Sequence, residues 1–114
     1  MGLDFSHSDA HWSYSGFKAF RTKVARDVGI NLVDMEGFGG IIQFHSLPYD
    51  PILPLLDHSD CDGELTPEEC KVVGPRLLEI VSKWPDDDWD KERAIVFARD
   101  LIDCGKSGET MEFT

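Results

Sequence analysis

The chain has few cysteines and no long apolar stretch, and both shortages narrow the kinds of protein it can be. It contains three cysteines in 114 residues, an odd number that fits reduced thiols in a cytoplasm better than a disulfide scaffold. No apolar run approaches the length of a membrane span, and the N-terminus lacks the basic-then-apolar order of a secretion signal. The sequence therefore predicts a cytoplasmic protein that makes no use of a membrane.

Basic residues are also scarce, since 11 lysines and arginines face 22 aspartates and glutamates for a net charge of −11. Nucleic-acid binding is not expected, because phosphate contacts need clustered lysine and arginine. The negative charge has two centres, residues 57–71 and the run Asp86-Asp87-Asp88 with Asp90. These acidic centres could bind cations or a basic protein partner, or could imitate a nucleic acid. The simplest explanation of the negative charge is that it keeps the protein soluble.

Recognisable catalytic motifs are missing. The sequence contains no nucleophile elbow and no lysine–serine pair. Carboxylates abound, but abundance without a cleft assigns no general acid or base. We therefore expect a protein that is not an enzyme, and we assign no catalytic residues.

Length and hydrophobic periodicity predict one α+β domain over residues 1–114, with about three helices packed on a small sheet of short strands. The main helices are expected at 16–28, 67–83 and 88–104, with a short helical segment at 52–56, and the strands are expected at 2–6, 41–44 and 110–113.

Several details of the helices follow from particular residues. Gly74-Pro75 is expected to kink or split the second helix near Val73, and Gly105 is a plausible C-cap for the third. Trp89 is placed on the apolar face of that third helix. In the first helix, one side is expected to form a basic, solvated surface: Lys18, Arg21, Lys23 and Arg26.

The most informative segment runs from Asp57 to Glu69, because it resembles a calcium-binding EF-hand loop. Such loops supply oxygen ligands at positions 1, 3, 5, 7, 9 and 12, with glycine at position 6. Placing Gly63 at position 6 gives the candidate metal ligands Asp60, Asp62, Glu64, Thr66 and Glu69. Position 1 holds His58 instead of aspartate, a poor ligand for a hard cation. The sequence thus predicts a degenerate divalent-metal loop, with Ca2+ as the favoured ion.

The end of this segment also has an explanation that needs no metal. Thr66-Pro67-Glu68-Glu69 is a strong helix start, with a threonine N-cap, proline at the first helical position and glutamate at the third. The two interpretations overlap, since the exiting helix of an EF-hand begins at the same place. A capped helix alone does not explain why Asp60, Asp62 and Gly63 fall at the EF-hand spacing relative to Glu69.

Zinc is the less favoured ion. His7 and His11 are four residues apart, so on a helix they would share a face. His58 and Cys61 interrupt an otherwise hard-ligand loop. The chain has no C-x-x-C pair and no zinc-finger spacing.

Four segments resemble a family of small uncharacterised proteins found in actinobacteria, in other bacteria and in their phages. They are Met-Gly-Leu-Asp-Phe-Ser-His at 1–7, Ala-His-Trp-Ser-Tyr at 10–14, the stretch from Pro54 to Cys70, and Trp-Pro-Asp-Asp-Asp at 84–88. The resemblance implies a cytoplasmic, prokaryotic or phage setting. It implies no activity.

Two functions are compatible with these features. The first is a small, acidic, non-catalytic binding or regulatory protein whose loop holds a divalent metal. The alternative is an acidic interaction protein, such as a phage-borne inhibitor or a nucleic-acid mimic, that binds a basic protein surface. Both predict a protein partner, whose identity the sequence does not give.

Overall fold

The computed structural model describes residues 2–36, 38–57 and 63–114. In these ranges, four short strands form one antiparallel sheet in the order β2-β1-β4-β3. The strands are β1 (Leu3–Phe5), β2 (Ser8–Trp12), β3 (Gly63–Leu65) and β4 (Met111–Phe113). The chain termini therefore meet in the middle of the sheet, where Phe5 pairs with Phe113.

The described helices are α1 (Tyr14–Asp27), the single turn α2 (Leu53–Leu56), α3 (Pro67–Val81) and α4 (Lys91–Lys106). Short 3-10 turns occur at Leu32–Asp34 and Phe44–Ser46. Ser13 caps α1, and its hydroxyl accepts a hydrogen bond from the Gly16 N–H at 3.0 Å. The predicted α+β class, with three main helices and a small sheet of short strands, is confirmed.

The core is built on aromatic rings that the two halves of the chain contribute. Trp12 stacks on Phe20 with the ring centroids 4.6 Å apart, and Phe5 meets Phe97 at 4.4 Å and Phe113 at 4.9 Å. These rings are buried. Because β1, α1, α4 and β4 all supply rings to one cluster, the core joins the N-terminal and C-terminal segments.

The predicted strand at 41–44 is wrong. Ile42 forms only an isolated bridge with Met35, and Ile41 is 92% exposed. The segment folds back on the preceding turn, since the Ile42 N–H donates to the Asp34 carbonyl and the Ile42 carbonyl accepts from the Glu36 N–H. These local hydrogen bonds replace pairing with the sheet. The strand β2, which was not predicted, lies instead between β1 and α1.

The expected split of the second helix near Val73 is also wrong, because α3 runs without a break through Gly74 and Pro75. The expected kink stays a prediction. Gly74 lies against α4: a Cβ atom there would be 2.9 Å from the Ile102 backbone nitrogen. Gly105 plays the same part in α4, where a Cβ would lie 3.0 Å from the Lys71 nitrogen. It is an interior helical residue and not a C-cap. Both glycines allow α3 and α4 to pack closely.

The start of α4 also differs from the prediction. The helix begins at Lys91 and not at Asp88, and Trp89 is 72% exposed instead of contributing to the apolar face. The guanidinium of Arg93 lies 4.6 Å from the Trp89 ring centroid. The exposed indole thus forms a cation–π contact with Arg93.

Candidate metal-binding loop and acidic groove

The second half of the loop, from Gly63 onward, is anchored in the sheet. Gly63 has φ of 113°, a conformation that L side chains rarely adopt. Gly63 is the first residue of β3, which pairs with β4 so that Leu65 lies opposite Met111. Leu65 is 1% exposed. Position 6 therefore requires glycine for backbone reasons, and position 8 is a core residue.

Thr66 and Glu69 form a capping box at the start of α3. The Glu69 N–H donates to the Thr66 hydroxyl at 3.2 Å, and the Thr66 N–H donates to Oε1 of Glu69 at 2.9 Å. The helix cap that explains these two residues without a metal is thus present, with both of its hydrogen bonds. It does not exclude a metal, because a carboxylate has two oxygens and several lone pairs.

The first half of the loop begins at α2, which a buried arginine holds in place. Nη1 of Arg21 donates to the carbonyl oxygens of Leu55 and Leu56 at 3.4 and 3.2 Å. The guanidinium also lies 5.0 Å from the ring centroids of Phe17 and Phe38. Burial lowers the pKa of Arg21 to about 10, with the Asp57 carboxylate acting in the opposite direction. At that value Arg21 remains a cation at neutral pH, directly behind the start of the loop.

The burial of Arg21 corrects the prediction that it belongs to a solvated basic surface, since it is 0% exposed. Its position carried the signal, because Phe17, Arg21 and Val24 follow helical spacing on one side of α1. By its charge alone, Arg21 belongs with Lys18, Lys23 and Arg26. The structure places it with the apolar residues.

Of the predicted metal ligands, the structure describes Glu64, Thr66 and Glu69. Asp60 and Asp62, together with His58 and Cys61, lie outside the described residues. Glu64 and Glu69 line the same cleft, with a volume of about 460 Å³, and Asp57 lines it too. Residues 2–36, 38–57 and 63–114 contain no cluster of three or more histidine, cysteine or acidic side chains placed to hold a metal ion. A metal site here would therefore need ligands from residues 58–62.

A second cleft of about 410 Å³ shares Phe44, His45 and Asp57 with the first, and we call the two clefts together the acidic groove. The remaining residues of the groove are Glu36 and Gln43 in the second cleft, and Tyr49, Asp50, Leu53, Pro54, Glu64 and Glu69 in the first. The groove was not predicted, because its lining combines the irregular segment between α1 and α2 with residues of α2, β3 and α3 that are distant in the sequence.

Two of the histidines considered for zinc, His7 and His11, do not lie on a helix. His7 lies in the turn between β1 and β2, and His11 lies on β2, so the helical face that would have united them does not exist. Nε2 of His7 lies 3.0 Å from Oε2 of Glu109, and Nδ1 of His11 lies 2.8 Å from Oδ1 of Asp4. Each histidine thus has a carboxylate partner of its own.

The described cysteines, Cys70 on α3 and Cys104 on α4, are buried free thiols, and their Sγ atoms donate to the carbonyl oxygens of Leu65 and Glu109 at 3.6 and 3.2 Å. Burial raises the pKa of Cys70 to about 12, and it also raises the pKa of Cys104. Metal ligation and nucleophilic chemistry both use the thiolate, so these two side chains suit packing better than either.

The second acidic centre is largely paired within the protein. Nζ of Lys23 bonds both carboxylate oxygens of Asp88, at 2.8 and 2.9 Å. Asp90 is 3% exposed and accepts a hydrogen bond from Nε1 of Trp12 at 3.2 Å. Lys91 pairs with Asp86 at 2.8 Å. The run therefore fastens the start of α4 to α1 and β2.

No protein-family model, curated protein or solved structure matches this chain. The resemblance to the bacterial and phage family thus stays a prediction. Within the described ranges, none of the helices combines the length and the apolar character required to cross a membrane.

Proposed function

We propose that this protein is a small binding module whose loop from Asp60 to Glu69 holds a divalent metal ion, with calcium as the preferred ion. Asp60 and Asp62 each supply one carboxylate oxygen, Glu64 its backbone carbonyl, and Glu69 closes the site. Calcium takes six to eight oxygen ligands in a flexible arrangement, so Thr66 and water complete the shell.

One observation carries the proposal: Gly63 adopts the positive φ that the sixth loop position needs, and Glu69 opens α3 beside Glu64 on the same cleft. A plain helix cap requires Thr66 and Glu69 but gives no reason for the backbone conformation at Gly63. The oxygen-rich donor set favours calcium over softer ions.

The capping box sets a condition on the site. Oε1 of Glu69 accepts the Thr66 N–H, so bidentate ligation would require this oxygen to serve both the N–H group and the metal. His58 at the first position removes a further carboxylate. Both features favour a weak, structural site over a high-affinity sensor.

Thermal unfolding of chelator-stripped protein with added calcium, magnesium or zinc tests the proposal. A ligand that binds only the folded state stabilises it by about 2.7 kcal/mol at a hundred times its Kd. We expect a rise in Tm with calcium that is lost in Glu69→Gln and kept in Glu68→Gln, which removes a charge one residue away. A rise with zinc alone would point to His58 and Cys61. No shift with any ion at millimolar concentration would refute the metal function.

The alternative function, binding to a basic protein surface, now has a different basis from the one that the sequence suggested. Asp88 and Asp90 contact Lys23 and Trp12, so they are poorly placed to attract a partner. The carboxylates of the acidic groove are the better support for this alternative.

A further inference from the structure

We propose that the acidic groove receives an exposed segment of a protein partner in which an arginine or lysine stands next to an apolar residue. This interaction shares Glu64 and Glu69 with the proposed metal loop, but it also uses other walls of the groove and does not need the loop residues 58–62.

The apolar side of the groove is open to such a segment. Tyr49 is 79% exposed and lines the groove beside the half-buried Leu53 and Pro54, with Phe44 buried at their base. Ile41 and Ile42, which are 92% and 41% exposed, lie in the segment that leads into the groove. An exposed aromatic residue with aliphatic neighbours is the usual anchor of a protein interface.

The carboxylates of the groove determine which charge the partner must carry. Glu36 and Asp57 line one cleft, and Glu64 and Glu69 join Asp57 in the other. Asp50 is held by Arg76, with Oδ2 and Nη2 3.0 Å apart, and the Asp57 carboxylate interacts electrostatically with the buried Arg21. Glu36 and Glu69 add two further negative charges, so the groove keeps a negative excess that repels acidic partners and attracts basic ones.

Arginine and lysine fit this combination better than a free cation does. Their aliphatic stems pack on apolar surfaces while the charged group reaches a carboxylate. An arginine can also lie on the face of Tyr49. A metal ion would use the carboxylates alone and would leave the wall formed by Tyr49, Leu53 and Pro54 without a ligand.

The test is selection of random linear peptides displayed on phage, against immobilised protein in the presence of chelator. We expect enrichment of sequences in which arginine or lysine adjoins leucine, isoleucine or an aromatic residue. A selected peptide, synthesised with a fluorescent label, should lose affinity about tenfold in Tyr49→Ala and in Glu36→Gln. Both side chains are exposed, so these variants are expected to fold, which circular dichroism checks.

Asp87→Asn is the charge-matched control, since Asp87 is exposed and lies outside the groove. The affinity of this variant for the selected peptide should be unchanged. Added salt should weaken the complex. Absence of any enriched sequence would overturn the proposal, and so would selected peptides that bind Tyr49→Ala and Glu36→Gln as tightly as the wild type. Because neither variant alters a proposed metal ligand and the chelator removes free ions, failure here leaves the calcium test untouched.

Discussion

Thr66 and Glu69 satisfy each other's backbone N–H groups at the first turn of α3, through hydrogen bonds of 2.9 and 3.2 Å. This reciprocal pair lies where the proposed metal loop ends. In the proposed site, Glu69 therefore both stabilises the start of α3 and acts as the last metal ligand. Substitutions can separate the two tasks, because the capping box accepts glutamine and bidentate calcium ligation does not.

Without metal, Thr66→Ala should destabilise the protein by about 1 kcal/mol, the usual cost of a lost N-cap. Glu69→Gln keeps the hydrogen bond to the Thr66 N–H and loses only a charge near the helix N-terminus, at a cost of about 0.5 kcal/mol. Urea unfolding in chelator measures both. Glu68→Gln gives the effect of the charge alone. If Glu69→Gln costs clearly more than Glu68→Gln without metal, the carboxylate has a structural role that the capping box does not explain.

Arg21 should be among the most sensitive positions of the chain. Arg21→Ala removes a fully buried side chain and the donor to the carbonyls of Leu55 and Leu56, so we expect a loss of about 3 kcal/mol. Arg21→Met fills the space without restoring the hydrogen bonds and should lose less. Arg26→Ala, on the exposed side of α1, should change stability by less than about 0.5 kcal/mol. Equal effects of Arg21→Ala and Arg26→Ala in chemical unfolding would contradict the buried placement.

The first helix and the helix cap at Thr66 followed from the sequence because their determinants are local. Ser13 caps α1, and Phe17, Phe20 and Val24 are buried as their spacing predicts. The capping box likewise needs only the residues from Thr66 to Glu69. These elements depend on neighbours within one or two helical turns, which a sequence displays directly.

The errors came from contacts between distant segments. Gly74 looks like a helix breaker in isolation, and its packing against Ile102 is what makes it acceptable. Arg21 looks solvent-exposed until α2 is placed over it. The candidate site shows the same contrast: the helix start at Thr66–Glu69 was predicted from local sequence, whereas the acidic groove beside it was not. The lining of the groove combines residues 36–57 with Glu64 and Glu69, and this combination depends on tertiary packing.

Gly74 gives a prediction that runs against helix propensity. In an exposed helix, glycine to alanine stabilises by about 1 kcal/mol. Here Gly74→Ala should destabilise by about 1–3 kcal/mol, because the new methyl group would meet Cγ1 of Ile102 at 2.8 Å and its backbone nitrogen at 2.9 Å. Thermal unfolding measures the change. A Tm equal to or above that of the wild type would mean that α3 and α4 are not packed this closely.

The stability of the protein should fall at acidic pH partly through Asp88. Its hydrogen bond to Lys23 holds the pKa of Asp88 below the usual 3.8. A carboxyl group with a depressed pKa in the folded state contributes stability above its unfolded pKa, and that contribution is lost as the pH falls through the folded value. The loss attributable to Asp88 should therefore begin near pH 4 and continue below it.

Asp88→Asn should flatten this part of the profile, because asparagine does not titrate, and should lower the stability at neutral pH. Asp87→Asn serves as the control, since Asp87 is exposed and only its charge is removed. Chemical unfolding at a series of pH values compares the three proteins. The ion pair between α1 and the start of α4 would be refuted if Asp88→Asn and the wild type lost stability in parallel on acidification, because the depressed pKa would then have no counterpart in the free energy of unfolding.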